Sequence, residues 1–322
     1  MNKVIVNKLT IGSLVTYVQS VDILKTSMNN IMSMLSQAYE DSLYMENLLN
    51  LLKLKCVKKD DKVLFDKNFH RIDFNNVSFK YEKMNEYAIK NFNFTFYSNN
   101  TYALVGLNGS GKTTLIKLLL GLYDIEEGEI MIDGINLLNI DKDSYYDSVS
   151  AIFQDFIKYP FDIKTNISIA GGDKEYTNNE IEEAAIFSGA DEFINKLANK
   201  YKTQLMKEWS NSVELSLGQW QKIAVSRAAI KEASILVLDE PTASIDAITE
   251  YKLFNNFKSL KKNKLCLLVT HRFSNIRFVD QIIVFDNGTM IAQGKHSELI
   301  QMNGLYKELY EMQADAYKEK NT

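Results

Sequence analysis

The stretch GLNGSGKTT, residues 106–114, constrains the fold of this chain more than any other feature of its sequence. It follows the apolar run TYALV and precedes the helical pattern TTLIKLLLG, so it joins a predicted buried strand to a predicted helix. Glycines at such a junction let backbone N–H groups turn inward around phosphate oxygens, and the helix N-terminus adds its dipole. The spacing G-x-x-x-x-G-K-[ST] therefore predicts a phosphate-binding P-loop rather than a chance glycine-rich turn.

Two side chains of this loop have predicted roles of their own. Lys112 is expected to reach the β- and γ-phosphates of a nucleotide, and Thr113 to hold Mg²⁺ through its hydroxyl. The other predicted contacts to the nucleotide come from the loop and the first helical turn: Gly106, Asn108, Gly109, Ser110, Gly111 and Thr114.

Two carboxylates end the apolar run ILVLDE, residues 235–240. The apolar residues predict a buried strand, and its C-terminal end presents Asp239 and Glu240. Asp239 suits a role at Mg²⁺, directly or through water. Glu240 is placed to accept a proton from an attacking water. The alternative is a strand that ends in a solvated acidic turn, and the P-loop in the same chain favours the catalytic interpretation.

Two further polar side chains follow predicted strands. His271 lies next to the end of LCLLVTHR, residues 265–272, and Gln154 lies in AIFQDF. Since parallel strands deliver their C-terminal ends to one edge of a sheet, both are expected near Glu240. His271 is then predicted to contact the γ-phosphate, and Gln154 to contact Mg²⁺ or the attacking water. The alternatives are a structural histidine and a surface amide.

The bulk composition excludes several classes of protein. Among 322 residues, 46% are hydrophobic and 24% charged, which is ordinary for a globular chain. A net charge of −4 argues against a general nucleic-acid binder, and no nucleic-acid partner is expected. Cys56 and Cys266 lie in no metal-binding spacing and are expected to be free thiols. The N-terminus does not read as a secretory signal, and no stretch reaches the roughly 18 uninterrupted apolar residues of a free-standing membrane span.

Residues 11–54 form a separate pattern before these motifs. Proline is absent, and apolar residues recur in steps of three and four, which predicts one long amphipathic helix. A coiled-coil arm and a bundle helix with partners elsewhere both fit this periodicity. Residues 56–70 are charged and predict a linker.

The remainder of the chain predicts an α/β fold. IDFNNVSFKY and FNFTFY alternate apolar and polar residues and predict an antiparallel flank. Helical and strand patterns then alternate to about residue 300, which favours a mainly parallel core sheet. Residues 174–202 predict an inserted helical subdomain. A final amphipathic helix leads into a polar tail, residues 313–322.

The order of these motifs resembles the ATP-binding cassette (ABC) family over residues 71–312. The resemblance implies a P-loop NTPase cassette that binds ATP with Mg²⁺ and hydrolyses it. It also implies that two cassettes, identical or different, dimerise head to tail, so that each signature segment closes over the partner's ATP. The residues that the resemblance adds are the adenine-stacking Tyr81, Ser216, Gly218 and Gln219 of the signature LSLGQ, and Asp246 at the end of the D-loop.

Within this family, the predicted N-terminal helix makes the chain resemble the exporters. Residues 1–55 are similar to the last helix of an exporter's membrane domain and its cytosolic extension, with most of that domain missing. FQDFIKYP and GQWQK resemble exporters of lantibiotic and bacteriocin-type peptides. The implied function is ATP-driven peptide export at the cell membrane, with the cassette on the cytoplasmic face and membrane-spanning helices as partners. The chain is then expected to be a fragment, a product of a misplaced start, or one part of a split transporter.

A second hypothesis remains open at this stage: a non-transport or inactive nucleotide-binding module that acts as a scaffold. Leu217 supports it, since it replaces the first glycine of the usual LSGGQ signature. If Ser216 is a helix N-cap, however, Leu217 removes none of the phosphate-binding donors, which are the Ser216 hydroxyl and backbone N–H groups. The substitution is therefore expected to be tolerated, with weaker closure of the dimer.

Overall fold

The structure is a computed structural model of the chain. It describes residues 10–53, 62–82, 84–172, 174–207, 212–240, 250–253, 255–256, 264–270, 272–273, 276 and 279–319. The chain divides into two compact units, Met1–Asp61 and Lys62–Thr322.

In its described residues the first unit contains one helix, α1 (Ile11–Lys53), which confirms the helix predicted over residues 11–54. Its large apolar side chains are exposed, except Leu14, which is partly buried. Some of the exposed ones, such as Ile23 and Met34, lie away from the face on which apolar residues recur in steps of three and four, so α1 is apolar on more than one face. Of the helices in the described part of the chain, none combines the length and apolar character that a membrane crossing requires.

The second unit contains the remaining elements. The strands are β1 (Arg71–Phe79), β2 (Ile89–Tyr97), β3 (Thr101–Gly106), β4 (Glu127–Ile132), β5 (Ile135–Asn136), β6 (Val149–Ile152), β7 (Ile235–Asp239), β8 (Leu265–Val269), β9 (Gln281–Asp286) and β10 (Thr289–Gly294). The α-helices are α2 (Lys112–Leu119), α3 (Lys142–Asp147), α4 (Ile163–Ser168), α5 (Asn178–Ser188), α6 (Asp191–Ile194), α7 (Leu217–Ile230), α8 (His296–Leu299) and α9 (Leu305–Glu319). Short 3₁₀ turns occupy Leu137–Asn139, Ile169–Gly171 and Lys200–Lys202.

A six-stranded sheet forms the core, in the order β10-β9-β3-β8-β7-β6. All neighbouring pairs are parallel except β9 and β10. All residues of β7 and β8 are buried, as expected for parallel strands covered on both faces. The predicted mainly parallel core sheet is confirmed, and the C-terminal ends of β3, β6, β7 and β8 meet at one edge.

The antiparallel flank is also confirmed, and it is larger than predicted. Strands β4 and β5 join β1 and β2 in a four-stranded sheet of order β2-β1-β4-β5. The buried Phe92 and Phe96 of β2 each contact the buried Phe74 of β1 edge to face, with ring centroids 5.4 and 5.7 Å from that of Phe74.

Helices α5 and α6 lie in the predicted helical stretch, residues 174–202, and pack with α4 and α7, which lie outside it, around a core of their own. Trp220 of α7 is fully buried at its centre. The sequence indicates where α5 begins, because Thr177 and Glu180 form a reciprocal capping box at its start. Gly189 then ends α5 in the left-handed conformation.

Two segments at the ends of the cassette have more structure than their composition suggests. Phe65 and Phe69, in the stretch assigned to the linker, are buried in the main core. Helix α9 continues through the stretch assigned to the polar tail as far as Glu319. The domain limits 1–55, 56–70, 71–312 and 313–322 stay predictions.

Candidate functional site

The loop between β3 and α2 has the backbone that its glycines predict. Gly111 has φ +107°, and a Cβ there would lie 2.6 Å from the carbonyl oxygen of Ala88. A Cβ on Gly106 would lie 2.2 Å from the carbonyl oxygen of Phe285. Both positions therefore require glycine. Asn108 and Gly109 are exposed at the tip of the loop, whereas Ser110 is buried.

A residue that the sequence analysis missed supports this loop from behind. The backbone N–H of Gly288 donates to the carbonyl oxygen of Ser110 at 3.0 Å, and its own carbonyl accepts from Lys90 N–H at 2.8 Å. With its N–H bound to that carbonyl, Gly288 fixes the orientation of a loop peptide group. The dipeptide Asn287–Gly288 predicts the hairpin turn between β9 and β10, but no local signal places that turn against the P-loop.

Lys112 is 8% exposed, and its ammonium group makes its hydrogen bonds within the loop itself. Its Nζ donates to the carbonyl oxygens of Leu107 at 2.7 Å and Gly106 at 2.9 Å, and to Ser110 Oγ at 3.3 Å. Burial lowers the pKa of this ammonium, while the carboxylates of Glu240 and Asp239 act in the opposite direction. Lys112 is thus a cation held at the loop, at the point where the predicted phosphates would add negative charge.

Thr113 and Asp239 meet across the end of the sheet. Thr113 Oγ1 donates to Asp239 Oδ2 at 3.0 Å, and Asp239 is only 5% exposed. Burial raises the pKa of the Asp239 carboxyl, and the hydrogen bond from Thr113 opposes that shift. A hydroxyl beside a carboxylate is a set of hard oxygen ligands that fits Mg²⁺ with substrate phosphates completing its coordination.

Asp239→Asn is expected to raise the melting temperature at neutral pH while impairing any Mg²⁺-dependent activity. A carboxyl whose pKa is raised by folding loses folding stability as the pH rises through that pKa, because its charged form is disfavoured inside the protein. Asparagine removes this cost and keeps an oxygen acceptor for Thr113. Melting curves of both proteins at neutral and acid pH test this. A variant that melts below the wild type at neutral pH would contradict it.

Glu240 follows β7 in a left-handed conformation, with φ +50°. Its backbone N–H donates to the carbonyl oxygen of Val269 at 3.0 Å, and its carbonyl accepts from Gln221 Nε2 at 3.4 Å. Such a conformation is costly for a residue with a Cβ and persists only where neighbours enforce it, often at functional sites. Gln221, on α7, is a buried positioning residue that the sequence analysis missed, because only tertiary packing brings it to Glu240.

Of the other predicted residues near this edge of the sheet, the structure describes Gln154 but not His271 or Asp246. Gln154 is exposed in a turn two residues after β6, the strand next to β7. Its neighbour Asp155 is close enough for its charge to raise the pKa of Asp239. His271 and Asp246 lie outside the described residues, so their roles stay predictions. Thr270, which precedes His271, is buried at the end of β8.

Tyr81 lies two residues beyond β1 and belongs to an aromatic cluster beside the loop. Its ring contacts Phe79 and Tyr123 edge to face, with centroids 5.0 and 5.3 Å away. Its hydroxyl lies 3.1 Å from Thr114 Oγ1 in α2. This contact places the ring next to the helix that follows the P-loop, which suits the predicted stacking on adenine. Tyr123 is a second aromatic here that the sequence analysis missed.

The signature segment forms a helix N-terminus as predicted. Ser216 is the N-cap of α7, and Leu217, Gly218 and Gln219 are its first helical residues. Gln219 N–H donates to Ser216 Oγ at 3.3 Å, and Ser216 N–H donates to Gln219 Oε1 at 2.9 Å. Gln219 thus closes a capping box, a structural role not foreseen from the sequence. Leu217 is 53% exposed, which agrees with the expectation that bulk is tolerated there.

Leu217→Gly is expected to change steady-state ATPase activity by no more than about threefold. The capping box uses Ser216 and Gln219 and leaves the Leu217 side chain in solvent, so the N-terminus of α7 stays capped without that side chain. Phosphate release over a range of protein concentrations measures both turnover and ease of dimer closure. An inactive wild type whose activity appears in Leu217→Gly would contradict this expectation.

Comparisons with known proteins agree with this geometry. Residues 89–243 match the sequence profile of the ABC transporter family. The subtilin transport ATP-binding protein of Bacillus subtilis is 38% identical over 305 residues, which cover 94% of this chain and 50% of that protein. The nisin transport ATP-binding protein of Lactococcus lactis subsp. lactis is 33% identical over 308 residues, covering 94% of this chain and 51% of that protein.

A comparison with solved structures also finds an ABC transporter. A bacterial Atm1-family ABC exporter, solved with ATP bound, matches with a TM-score of 0.77 and 27% identity, covering 95% of this chain and 53% of that one. The chain therefore spans about half the length of the curated relatives it matches. The profile match, the relatives and the shared fold establish that this chain belongs to the ABC transporter family, as an exporter-type ATP-binding module.

Proposed function

We propose that this chain binds ATP with Mg²⁺, hydrolyses it, and thereby drives the export of a peptide across the cell membrane. The observation that carries the hydrolytic part is the convergence of Lys112, Thr113, Asp239 and Glu240 at the C-terminal edge of one parallel sheet. That edge is where open α/β sheets bind their ligands.

Each group has a defined task in this proposal. The P-loop amides and Lys112 bind the β- and γ-phosphates, and Tyr81 stacks on adenine. Thr113 and Asp239, with Gln154, hold Mg²⁺, which when bound neutralises charge on the phosphates. Glu240 accepts a proton from water as that water attacks the γ-phosphorus; the bond to the bridging oxygen breaks, and ADP leaves. His271 contacts the γ-phosphate.

The signature residues act on a second cassette. Ser216 and Gly218, at the N-terminus of α7, face the γ-phosphate held by a partner, and Gln219 keeps that terminus ordered through the capping box. Asp246 contributes at the same interface. The partner is an identical or a related cassette, and ATP bridges the two.

Peptide export is supported by the relatives. Two of them are named for the transport of subtilin and nisin. By this proposal, residues 1–55 belong to a membrane domain whose other helices lie in another part of the transporter, and the cassette lies on the cytoplasmic face. Closure of two cassettes on ATP, followed by hydrolysis, then moves the attached helices. A scaffold without turnover is not favoured, because Lys112, Asp239 and Glu240 are all in place.

A chimera tests the coupling to export. The part of the nisin transport protein that this chain does not match is joined to the whole of this chain and expressed in cells that make nisin but lack its transporter. Secreted nisin is expected from the chimera and not from its Glu240→Gln variant. Equal secretion from both, or none from a chimera that hydrolyses ATP in the membrane, would contradict the export proposal.

A further inference from the structure

Arg227 joins the signature helix to the segment that follows Gln154. Its guanidinium, on α7, donates from Nη1 to the carbonyl oxygen of Ile157 at 2.6 Å and from Nε to that of Asn166 at 2.7 Å. A third bond runs from Nη2 to Asn166 Oδ1. The ring of Tyr159 lies against the same group, with its centroid 5.0 Å from the guanidinium carbon.

Asn166 extends this contact along the segment. It is fully buried, and its Nδ2 donates to the carbonyl oxygens of Tyr159, Phe161 and Asp162 at 3.0–3.1 Å. Between them, Arg227 and Asn166 hold the carbonyls of five residues from position 157 to position 166. The segment has little regular structure between Gln154 and α4, so these side chains supply the hydrogen bonds that a helix or strand would otherwise provide.

The chemistry of the contact is specific to arginine. Burial lowers the pKa of Arg227 to about 10, with the nearby Tyr159 acting in the opposite direction, so the group stays charged at neutral pH. All its hydrogen-bond acceptors in the described residues are oxygens of Ile157 and Asn166, none of them a carboxylate. A planar guanidinium can donate hydrogen bonds to several carbonyl oxygens while its face stacks on an aromatic ring, and the ammonium of lysine cannot do both.

This contact lies between two parts of the nucleotide machinery. Gln154 precedes the held segment by three residues, and Ser216 begins the helix that carries Arg227. We propose that Arg227 is a positioning residue for Gln154. It fixes the segment after Gln154 to the signature helix, and this holds the Gln154 side chain, relative to that helix, where it can contact the metal and the water. The inference rests on the proposed role of Gln154 in ATP hydrolysis.

A purely structural role for Arg227 makes a different prediction. If Arg227 only stabilises the helical subdomain, its loss lowers the melting temperature and the turnover number whether or not Gln154 is present. If it acts through Gln154, its effect on turnover disappears once Gln154 is removed. Residues that act through one another are non-additive in a double-mutant cycle.

The experiment is that cycle in the full chain, with Arg227→Gln, Gln154→Ala and the double variant. Phosphate release is measured against ATP and against Mg²⁺, beside the melting temperature. Arg227→Gln is expected to lower kcat roughly tenfold and to raise the half-saturating Mg²⁺ concentration, the size seen for groups that orient metal ligands. KM for ATP is expected to stay within about twofold, since the P-loop contacts are untouched. In the Gln154→Ala background, the further change in kcat is expected to be under about twofold.

Lys222→Gln is the matched control. Lys222 is on the same helix and donates from Nζ to the carbonyl oxygen of Gly189 at 3.0 Å, so it also ties α7 to its subdomain, but away from Gln154. Its loss is expected to lower the melting temperature and leave kcat and the Mg²⁺ dependence unchanged. If Arg227→Gln does not fold, Tyr159→Leu takes its place in the cycle, because it removes only the ring beneath the guanidinium.

Additive losses in the two backgrounds, or an unchanged kcat in Arg227→Gln, would overturn this role for Arg227 alone, as would a loss in Lys222→Gln equal to that in Arg227→Gln. A wild-type chain that binds ATP and releases no phosphate would instead overturn the proposed function on which the inference rests.

Discussion

Replacing Glu240 with glutamine is expected to lower phosphate release roughly 10²- to 10⁴-fold, the usual contribution of a general base. Glutamine has nearly the same shape but accepts no proton from the attacking water at neutral pH. The backbone of residue 240 is held by Val269 and Gln221 through main-chain groups, so the substitution leaves the loop in place. Steady-state phosphate release and binding of a fluorescent ATP analogue, measured on one preparation, separate catalysis from affinity.

The control for this variant is Glu308→Gln, which makes the same change of charge at an exposed position of α9. It is expected to release phosphate at the wild-type rate. Binding of ATP by Glu240→Gln is expected to equal or exceed that of the wild type, because bound ATP is no longer consumed. Equal phosphate release from Glu240→Gln and the wild type would exclude Glu240 as the general base.

Lys112→Ala is expected to weaken ATP binding by about 10- to 100-fold, since a hydrogen bond to a charged group contributes about 1.5–3 kcal/mol. Nζ of Lys112 donates to the carbonyl oxygens of Gly106 and Leu107. The phosphates compete with those carbonyls for the ammonium, so a part of the binding energy is used to release it. Titration with the fluorescent analogue measures the loss directly.

Lys117→Ala is the matched control, because Lys117 lies in the last turn of the same helix α2, at the end opposite the P-loop. Its affinity for ATP is expected to match that of the wild type. Unchanged affinity in Lys112→Ala would show that the backbone amides alone hold the nucleotide. Equal losses in both variants would point to a general effect of positive charge on the helix.

The parts of the site that could be predicted from the sequence are those fixed by local pattern. GLNGSGKTT between a strand and a helix places Lys112 and Thr113, and an apolar strand that ends in two acids places Asp239. Parallel pairing then brings them together, which the 3.0 Å bond between Thr113 and Asp239 confirms. The start of α7 at Leu217 followed in the same way from Ser216 as an N-cap.

The parts that could not be predicted depend on contacts between distant segments. Gly288 supports the P-loop, Gln221 holds Glu240, and Arg227 holds the segment after Gln154. The local pattern of apolar and polar residues predicts none of these three contacts. The sequence around Glu240 does not predict its left-handed backbone conformation either, because the neighbours that enforce it come from β8 and α7. Phe65 and Phe69 are buried although charged residues surround them in the sequence, because the main core covers them.

The most direct test is phosphate release by the full wild-type chain with ATP, compared in the presence of Mg²⁺ and of excess EDTA. An ATPase is expected to release phosphate only with Mg²⁺, at a rate at least about 100 times that of Glu240→Gln, given the contribution of a general base. If the chain binds ATP with Mg²⁺ at micromolar concentration and yet releases no more phosphate with Mg²⁺ than with EDTA, it is a nucleotide-binding scaffold and not an ATPase.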